Sequence, residues 1–472
     1  MSTAPAMVAG VDSSTQSCKI VVCELESGQI VRTARAAHPD GTEVSAEAWL
    51  SAFQEATADP GLLEGVQALA VGGQQHGMVT LDESGDLVRD ALLWNDNRSA
   101  PDAVDLIADL GGPQAWADAV GTVPVASMTV AKIRWLARCE PDNAARTTGV
   151  VLPHDWLTWQ IGGRSFEPVT DRGDASGTCY FDASANAYRR DLIELGIGHD
   201  LTVPRVAAPH EIVGTTPNGV ALAPGTGDNM AAGLGLGLSH GMGAVSLGTS
   251  GTVFTLSGEQ THDGSGVVAG FADATGGFLP LVCTLNGARN LVATASMLGM
   301  TLDEFSAAAM SAPAGSGDVT FLPYLEGERT PPLPNARGQL VGLTLSNMTP
   351  ANIARATIEG VLWSLAYGLQ TLREQTGEIS GITLTGGAAQ SAAVRAIAPA
   401  VFGLPIASTE PFESVAIGAA KQAAWALTGS MPDWPVPYVS KQEPTAEDVA
   451  ASQELNARYE SVLQTHFLRA AE

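Results

Sequence analysis

Residues 7–24, MVAGVDSSTQSCKIVVCE, decide the fold that the sequence predicts. Residues 7–11 and 19–24 are short apolar runs, and the polar residues 12–17 separate them. Runs rich in Val and Ile that are joined by turn residues are typical of a β-hairpin. We therefore expect two antiparallel strands with a polar tip at the start of the chain.

A second hairpin of the same kind is predicted about 234 residues later, in residues 243–256, GAVSLGTSGTVFTL. Here the strands are residues 243–247 and 252–256, and the turn is Gly-Thr-Ser-Gly. The repeat predicts an α/β protein with two related domains that face one another across a cleft. We place the domains at residues 1–238 and 239–472. The glycine-rich residues 233–243 between them indicate either a hinge or close helix packing.

Further elements follow from hydrophobic periodicity and from capping and turn residues. Strands are expected at residues 30–36 and 66–71. Helices are expected from residue 45, at 101–110, 114–120, 130–138, 154–161, 349–375, 390–402 and 414–427, with a final amphipathic segment at 446–468.

The net charge argues against polyanionic polymers as partners. The sequence has 24 basic and 50 acidic side chains and a formal charge of −26. Only four lysines occur, at positions 19, 132, 421 and 441. Binding to nucleic acid or to an anionic membrane requires clustered Lys and Arg, so neither is expected.

The five cysteines are scattered and form no C-x-x-C pair, so neither a zinc site nor a disulfide framework is indicated. The first ten residues lack the basic and apolar regions of a signal peptide. No apolar run reaches the length of a membrane span. We therefore expect a cytoplasmic protein.

The two hairpin tips are candidate phosphate sites. Hydroxyls and backbone amides at a tip, such as those of Thr15, Gln16, Gly248 and Thr249, bind phosphate oxygens without cations. Asp12, at a strand end, suits Mg²⁺, which takes only one or two carboxylates. One such tip alone would be an ordinary polar turn; two on duplicated domains favour phosphate binding. No P-loop sequence is present.

A glycine pair marks a third candidate site. Gly386 and Gly387 follow a predicted strand, and a helix is expected to open near Ala389. Glycines there let a base or phosphate approach the backbone, and a helix N-terminus favours anions. Close packing is the alternative explanation.

Polar residues near other strand and helix ends suit a sugar. Asp228 precedes a helix of small residues and is either an N-cap or a base that accepts a hydroxyl proton. Gln75 and His76 follow a predicted strand and either bind sugar hydroxyls or are structural. Trp94 offers a flat apolar face to a sugar, although an exposed loop would look the same.

In this order, these segments resemble the FGGY family of carbohydrate kinases and, within it, the xylulokinases. Residues 127–136, SMTVAKIRWL, match the first family signature, and Gly338, Gly342, Asn352 and Glu359 match the second. Gln75-His76-Gly77 and Gly227-Asp228-Asn229 carry the resemblance to the subfamily. The family fold consists of two ribonuclease-H-like domains, as in actin and the Hsp70 ATPase, with a nucleotide in the cleft.

The resemblance implies ATP-dependent phosphorylation of D-xylulose to D-xylulose 5-phosphate, with Mg²⁺. Asp228 is then the catalytic base, and Asp12 lies at the metal and phosphate site. The remaining roles are carried over in the same way: Gln75, His76 and Asn229 contact the sugar, Thr15 and Thr249 the phosphates, and Gly386, Gly387 and Ala388 the adenosine.

Two other functions remain open at this point. The nearer one is an FGGY kinase for another ketose, polyol or sugar acid, such as ribulose, arabinitol or gluconate, because few contacts separate such substrates. The more distant one is a non-catalytic sugar or nucleotide sensor. A homodimer is suggested by the resemblance alone.

Overall fold

The computed structural model describes residues 5–468, which form two compact units. The first unit comprises the described residues up to Leu238 together with Ser257–Leu279 and Glu413–Val436. The second comprises Ser239–Leu256, Pro280–Phe412 and the described residues from Pro437 onward. The division at 238/239 assigns residues 257–279 and 413–436 to the second domain, whereas in the structure they pack with the first unit.

The described residues form both strands and helices. The strands are β1 Met7–Ser13, β2 Ser17–Glu24, β3 Ile30–Ala37, β4 Glu43–Val44, β5 Val66–Gly73, β6 Val79–Leu81, β7 Ala91–Leu92, β8 Gly149–Val151, β9 Val169–Thr170, β10 Phe181–Asp182, β11 Ala187–Tyr188, β12 Arg205–Val206, β13 Gly214–Thr215, β14 Ala221–Leu222, β15 Thr226–Gly227, β16 Met242–Leu247, β17 Gly251–Thr255, β18 Ala269–Ala272, β19 Phe278–Thr284, β20 Thr320–Leu322, β21 Gln339–Val341, β22 Gly381–Thr385, β23 Ile406–Thr409 and β24 Tyr438–Gln442.

The helices occupy the segments between these strands. They are α1 Glu47–Ala56, α2 Ala100–Asp109, α3 Pro113–Val120, α4 Thr129–Cys139, α5 Pro141–Arg146, α6 Pro153–Ile161, α7 Arg172–Ser176, α8 Arg190–Ile197, α9 Asp228–Gly235, α10 Ala288–Met297, α11 Leu302–Ser311, α12 Pro350–Thr376, α13 Ala392–Phe402, α14 Ser414–Thr428 and α15 Ala446–Leu463. Short 3₁₀ turns lie at Ser316–Asp318 and Gly387–Gln390, and a π-helical turn follows α15 at Gln464–Leu468.

The main sheet of the first unit is built around the predicted hairpin. Its strand order is β13-β14-β5-β1-β2-β3, and β15 also pairs with β5. β1 is antiparallel to β2 and parallel to β5, and β15 is parallel to β5. The apolar side chains of this sheet pack against α1 and α6, where Trp49 and Trp156 meet edge to face at 6.2 Å.

The second unit repeats this strand pattern. β16 is antiparallel to β17 and parallel to β22, β17 is antiparallel to β19, and β23 follows in parallel beside β22. The long helix α12 is buried along most of its length, and its Trp363 stacks on Tyr459 of α15 at 4.9 Å. The duplication predicted from the two hairpins is therefore present in the strand order.

Close helix packing explains part of the glycine-rich stretch. α9 crosses α14 within the first unit, and a Cβ at Gly418 would lie 1.7 Å from the carbonyl oxygen of Ala231. A Cβ at Gly235 would lie 2.0 Å from the carbonyl oxygen of Ser414. Glycine is thus required at position 235 because the two helices approach each other closely there.

Several boundaries differ from the sequence predictions. β1 continues through Asp12 and Ser13, so the hairpin tip is shorter than expected. The helix expected near Ala389 is preceded by a 3₁₀ turn, and α13 starts at Ala392 because the Ser391 side chain caps its first turn. Among residues 5–468, no helix is both long and apolar enough to span a membrane.

Candidate active site

Three parallel strands of the first unit end side by side and carry the predicted site residues. Asp12 of β1 lies opposite Gly72 of β5, and Gly72 lies opposite Thr226 of β15. The hairpin tip therefore follows β1, Gln75 follows β5, and Asp228 follows β15 at the same edge. Crevices at the carboxyl ends of parallel strands are the usual ligand sites of α/β sheets.

Asp228 is the first residue of α9, with Gly227 in the cap position, so the N-cap interpretation is wrong. The backbone N–H of Asn229 donates to Asp228 Oδ1 at 2.7 Å, and its Nδ2 donates to the same oxygen at 2.9 Å. Burial raises the pKa of Asp228 to about 7, and the negative charges of Asp12 and Asp174 add to this effect.

Asn229 also joins Asp228 to Gln75. Asn229 Nδ2 donates to Gln75 Oε1 at 2.9 Å, which orients the Gln75 amide. Gln75 is buried, and its side chain also hydrogen-bonds the Asp174 carboxylate, a contact that opposes the rise in the pKa of Asp174 caused by burial. Gln75 therefore links Asp174 to Asn229 and Asp228.

His76 is held in an unusual backbone conformation. Its φ of +67° lies in the left-handed region, which non-glycine residues rarely adopt. Its Nδ1 lies 2.8 Å from the carbonyl oxygen of Gly177, and Thr129, in the first signature segment, donates to the His76 carbonyl at 3.1 Å. Phe271 packs on the ring at 5.5 Å. Such contacts fix both the backbone and the ring, as is common at ligand sites.

Asp12 fits a magnesium ligand. Its Oδ2 lies 3.4 Å from Lys19 Nζ, and Lys19 also pairs with Glu413 at 2.7 Å. Its Oδ1 is buried with no hydrogen-bond partner. Burial raises the pKa of Asp12 to about 6, against the lowering effect of Lys19. A partnerless carboxylate oxygen suits a cation that keeps most of its water.

The described residues contain no cluster of three or more His, Cys, Asp or Glu side chains placed to hold a metal. Mg²⁺ does not require such a cluster, because it is bound through one or two carboxylates plus substrate phosphates. A single carboxylate at Asp12 is therefore consistent with the expected ion.

The residues at the tip of the first hairpin differ in their exposure and in their hydrogen bonds. Ser14 Oγ donates to the Ser17 carbonyl at 3.0 Å, within the turn itself. Thr15 is half-buried and Gln16 is exposed. The indole Nε1 of Trp94 donates to Thr15 Oγ1 at 2.8 Å. The structure thus brings together the predicted sugar-contacting tryptophan and the predicted phosphate hairpin.

A buried charged cluster behind this edge was not predicted. His154 Nδ1 lies 2.6 Å from Asp174 Oδ2, and His154 Nε2 lies 3.2 Å from Asp155 Oδ1. Asp171 caps α7 and accepts a hydrogen bond from Thr226 at 2.6 Å. The side chains of His154, Asp155 and Asp174 are fully buried.

Within this cluster, burial opposes ionisation of every member. Asp155 and the hydrogen bond to Asp174 nevertheless raise the pKa of His154 to about 9. Burial raises the pKa of Asp155 to about 7 and that of Asp171 to about 6, against the attraction of His154. The available signal was the occurrence of ionisable residues within apolar segments, such as residues 151–157, VLPHDWL.

In the second unit, the predicted nucleotide residues lie at two adjacent strand ends. Ser246 of β16 lies opposite Thr385 of β22, so the tip with Gly248 and Thr249 is next to the turn that begins at Gly386. Gly386 has a φ of +92°, and a Cβ there would lie 2.6 Å from the Leu247 carbonyl oxygen.

The residues after Gly386 are accessible. Gly387 is exposed, Ala388 is half-buried, and a Cβ at Gly387 would meet no atom within 4 Å. Thr249 is likewise exposed. This surface of small residues leaves room for a flat ligand against the backbone.

Comparisons with known proteins identify the family. The FGGY carbohydrate kinase N-terminal domain matches residues 7–235, and the C-terminal domain matches residues 243–427. Xylulose kinase of Streptomyces coelicolor is 42% identical over 437 residues, covering 90% of this chain and 88% of that protein. Xylulose kinase of Escherichia coli is 32% identical over 408 residues, covering 82% of each.

Solved structures agree with the predicted fold. The crystal structure of xylulose kinase from Bifidobacterium adolescentis has a TM-score of 0.87 at 42% identity and covers 95% of this chain and 99% of its own. Plasmodium falciparum glycerol kinase with ADP shares the fold, with a TM-score of 0.86 at 16% identity over 98% of each chain. The predicted fold, two related α/β domains of the actin and Hsp70 ATPase type, is confirmed, and the chain belongs to the FGGY family of carbohydrate kinases.

Proposed function

We propose that this enzyme transfers the γ-phosphoryl group of ATP to the terminal O5 hydroxyl of D-xylulose, giving D-xylulose 5-phosphate and ADP. Two of its relatives are named xylulose kinases and are 42% and 32% identical to it. The observation that carries the chemistry is the position of the Asp228 carboxylate, whose Oδ1 accepts two hydrogen bonds from Asn229.

Asp228 is the general base of the proposed reaction. Its Oδ2 accepts the proton of the sugar hydroxyl while the hydroxyl oxygen forms a bond to the γ-phosphorus. The bond between that phosphorus and the β–γ bridging oxygen breaks, and ADP leaves with this electron pair. A base with a pKa near 7 is well matched to proton transfer at neutral pH.

The sugar is positioned by neighbours of the base. Gln75, His76 and Asn229 lie at or beside the strand edge that carries Asp228, and Trp94 offers an exposed ring. The buried Gln75 amide, which Asn229 holds beside Asp228, supports a role in binding a sugar oxygen. Hydrogen bonds of this kind orient the O5 hydroxyl toward Asp228.

The nucleotide is assigned to two sets of residues. Thr15 and Gln16 in the first unit, and Gly248 and Thr249 in the second, bind phosphate oxygens through hydroxyls and amides. The adenosine is assigned to the turn formed by Gly386, Gly387 and Ala388. Asp12 would hold Mg²⁺, which when bound neutralises charge on the β- and γ-phosphate oxygens. The homodimer and the cytoplasmic location stay predictions.

The experiment is a coupled ADP-release assay over D-xylulose, D-ribulose, arabinitol and gluconate. We expect the highest kcat/KM with D-xylulose. A higher value with another acceptor would overturn the substrate, and ADP release with none of them would favour a sensor.

The same assay tests the base. Asp228→Ala should lower kcat by several orders of magnitude and leave ATP affinity almost unchanged, because the carboxylate acts in the transition state. The exposed Asp40 supplies the control: Asp40→Ala should keep wild-type activity. Full activity of Asp228→Ala would exclude the assigned role.

A further inference from the structure

In the hydrogen bond between Trp94 and Thr15, it matters for catalysis which side chain donates and which accepts. Trp94 Nε1 and Thr15 Oγ1 are 2.8 Å apart, although the residues are 79 positions apart in the sequence. Thr15 lies at the tip of the β1–β2 hairpin, and Trp94 follows β7. The fold therefore creates this contact between two loops.

An indole N–H only donates, so Thr15 Oγ1 is the acceptor. The hydroxyl proton of Thr15 must point to a different atom, and no residue among 5–468 accepts it. Ser14 differs, because its hydroxyl donates to the Ser17 carbonyl at 3.0 Å. A hydroxyl that already accepts a hydrogen bond is a stronger donor. Thr15 thus offers a polarised donor at the tip of the phosphate hairpin.

The loop that carries Trp94 is rigidly anchored. Asp96 accepts hydrogen bonds from Thr42 at 2.7 Å and from Arg98 Nε at 2.8 Å. The Arg98 guanidinium pairs with Glu43 and lies over the ring of Trp135 at 5.0 Å. Trp94 itself is 37% exposed, so the anchoring of its loop, and not burial, holds the indole in place.

We propose that Trp94 is a positioning residue for phosphoryl transfer: its indole N–H directs the Thr15 hydroxyl so that this hydroxyl donates to the phosphoryl group under transfer. The inference rests on the proposed function and adds to the flat-face role of Trp94 toward the sugar. A fixed donor stabilises developing charge better than a rotating one, because it needs no reorientation during the reaction.

The test is a double-mutant cycle in the full-length enzyme. Trp94→Phe keeps an aromatic face and removes the N–H, and Thr15→Val keeps the branched shape and removes the hydroxyl. We expect each change to lower kcat about tenfold, with little change in the KM of the sugar. The double variant should be no slower than Thr15→Val, because the indole N–H acts only through the hydroxyl. Thr15→Ser should restore most of the activity.

A matched control is Trp159→Phe, which removes an indole bond to the Phe166 carbonyl elsewhere in the first unit. Its kcat should equal that of the wild type even if its melting temperature falls. Losses that multiply to about a hundredfold in the double variant would overturn the proposal. A Trp94→Phe enzyme with unchanged kcat and a raised sugar KM would overturn it as well.

The design separates this proposal from the substrate assignment. Kinetics are measured with the sugar of the panel that gives the highest ADP release. The double-mutant cycle can therefore be interpreted even if the acceptor is not D-xylulose. If no sugar is phosphorylated, the proposed function fails and this inference fails with it, whereas multiplying losses in an enzyme that does phosphorylate a sugar overturn the inference alone.

Discussion

Thr226 Oγ1 donates to Asp171 Oδ2 at 2.6 Å, in the fully buried interior two residues before Asp228. The bond ties the last strand before the candidate base to the N-cap of α7. The position of Asp228 therefore depends on a carboxylate that lies 57 residues earlier in the sequence. Only the folded chain brings these two residues close together.

Thr226→Val should weaken both stability and turnover. The change preserves shape but removes a donor from a buried carboxylate, so we expect the free energy of unfolding to fall by about 1–3 kcal/mol. Displacement of the Asp228 backbone should lower kcat by up to about tenfold. Urea unfolding and steady-state kinetics measure the two effects.

Thr371→Val is the control for this change. Thr371 is half-buried in α12 and bonds only the Tyr367 carbonyl one turn earlier, so its loss should change the free energy of unfolding by less than about 0.5 kcal/mol. If Thr226→Val were as stable and as active as the wild type, the bond to Asp171 would have no role in holding the base.

Asp228→Asn should stabilise the protein at alkaline pH. The pKa of Asp228 is raised to about 7 in the folded protein, mainly by burial, so the folded state holds the proton more tightly than the unfolded state. The wild type therefore loses stability as the pH rises from about 4 to about 7. Asparagine cannot ionise, and the variant should be more stable above pH 7 by about 1–2 kcal/mol, because solvent screens this half-buried group.

Urea unfolding at pH 4.5 and at pH 8 measures this difference. The gap between Asp228→Asn and the wild type should be larger at pH 8, whereas Asp40→Asn, at an exposed position, should show no such gap. A gap that is equal at both pH values would mean that Asp228 ionises normally in the folded protein.

Parts of this site could be predicted from the sequence because they are local. The hairpin around Thr15 has apolar strands and a polar tip within 18 residues, and the glycine pair at Gly386 follows a short apolar strand. Such patterns depend only on neighbouring residues. They located the hairpin strands and the glycine turn correctly, whereas the assignment of these segments to phosphate and nucleotide stays a prediction.

Other parts depend on contacts between distant segments. The register that aligns Asp12 with Thr226 is formed through β5, and the cluster of His154 with Asp174 joins two separate helices. Asp is mostly exposed in proteins, so an ionisable residue within an apolar segment is only a weak local sign of burial. The bond from Trp94 to Thr15 escaped sequence reasoning for the same reason.

Asp12→Asn should weaken the binding of Mg²⁺. Chelation with EDTA should abolish phosphoryl transfer, and the variant should need at least about tenfold more Mg²⁺ for half-maximal rate. The reason is that the partnerless Oδ1 of Asp12 is the atom suited to the ion. Titration of the rate with MgCl₂ at saturating ATP measures the shift.

Glu413→Gln tests whether the shift is specific. Glu413 pairs with Lys19 at 2.7 Å and is about half exposed, so its loss should leave the Mg²⁺ titration close to that of the wild type. An unchanged titration for Asp12→Asn would remove Asp12 from the metal site.

His76→Asn should affect the sugar more than ATP. Asparagine tolerates the left-handed backbone with φ of +67°, so the variant keeps the turn and loses the ring. We expect the KM of the sugar to rise by about tenfold or more and the KM of ATP to change little. Equal changes in the two KM values would argue against a sugar contact, and His199→Asn, at a ring that bonds the Thr147 carbonyl, serves as control.

Adjacent glycines in the second unit should respond differently to alanine. At Gly386 the φ of +92° and the Leu247 carbonyl oxygen 2.6 Å from a new Cβ both oppose a side chain, so Gly386→Ala should destabilise the protein by about 1–3 kcal/mol.

At Gly387 a Cβ would meet no atom within 4 Å, so Gly387→Ala should fold with unchanged stability. If adenosine lies against this backbone, the added methyl group should raise the KM of ATP on the order of tenfold, since one carbon in a closely fitted site has an effect of that size. The KM of the sugar should stay constant, as should both KM values in Gly258→Ala, where a Cβ also meets no atom within 4 Å. A stable Gly387→Ala enzyme with an unchanged KM for ATP would place the adenosine elsewhere, because the methyl group then occupies space that no ligand uses.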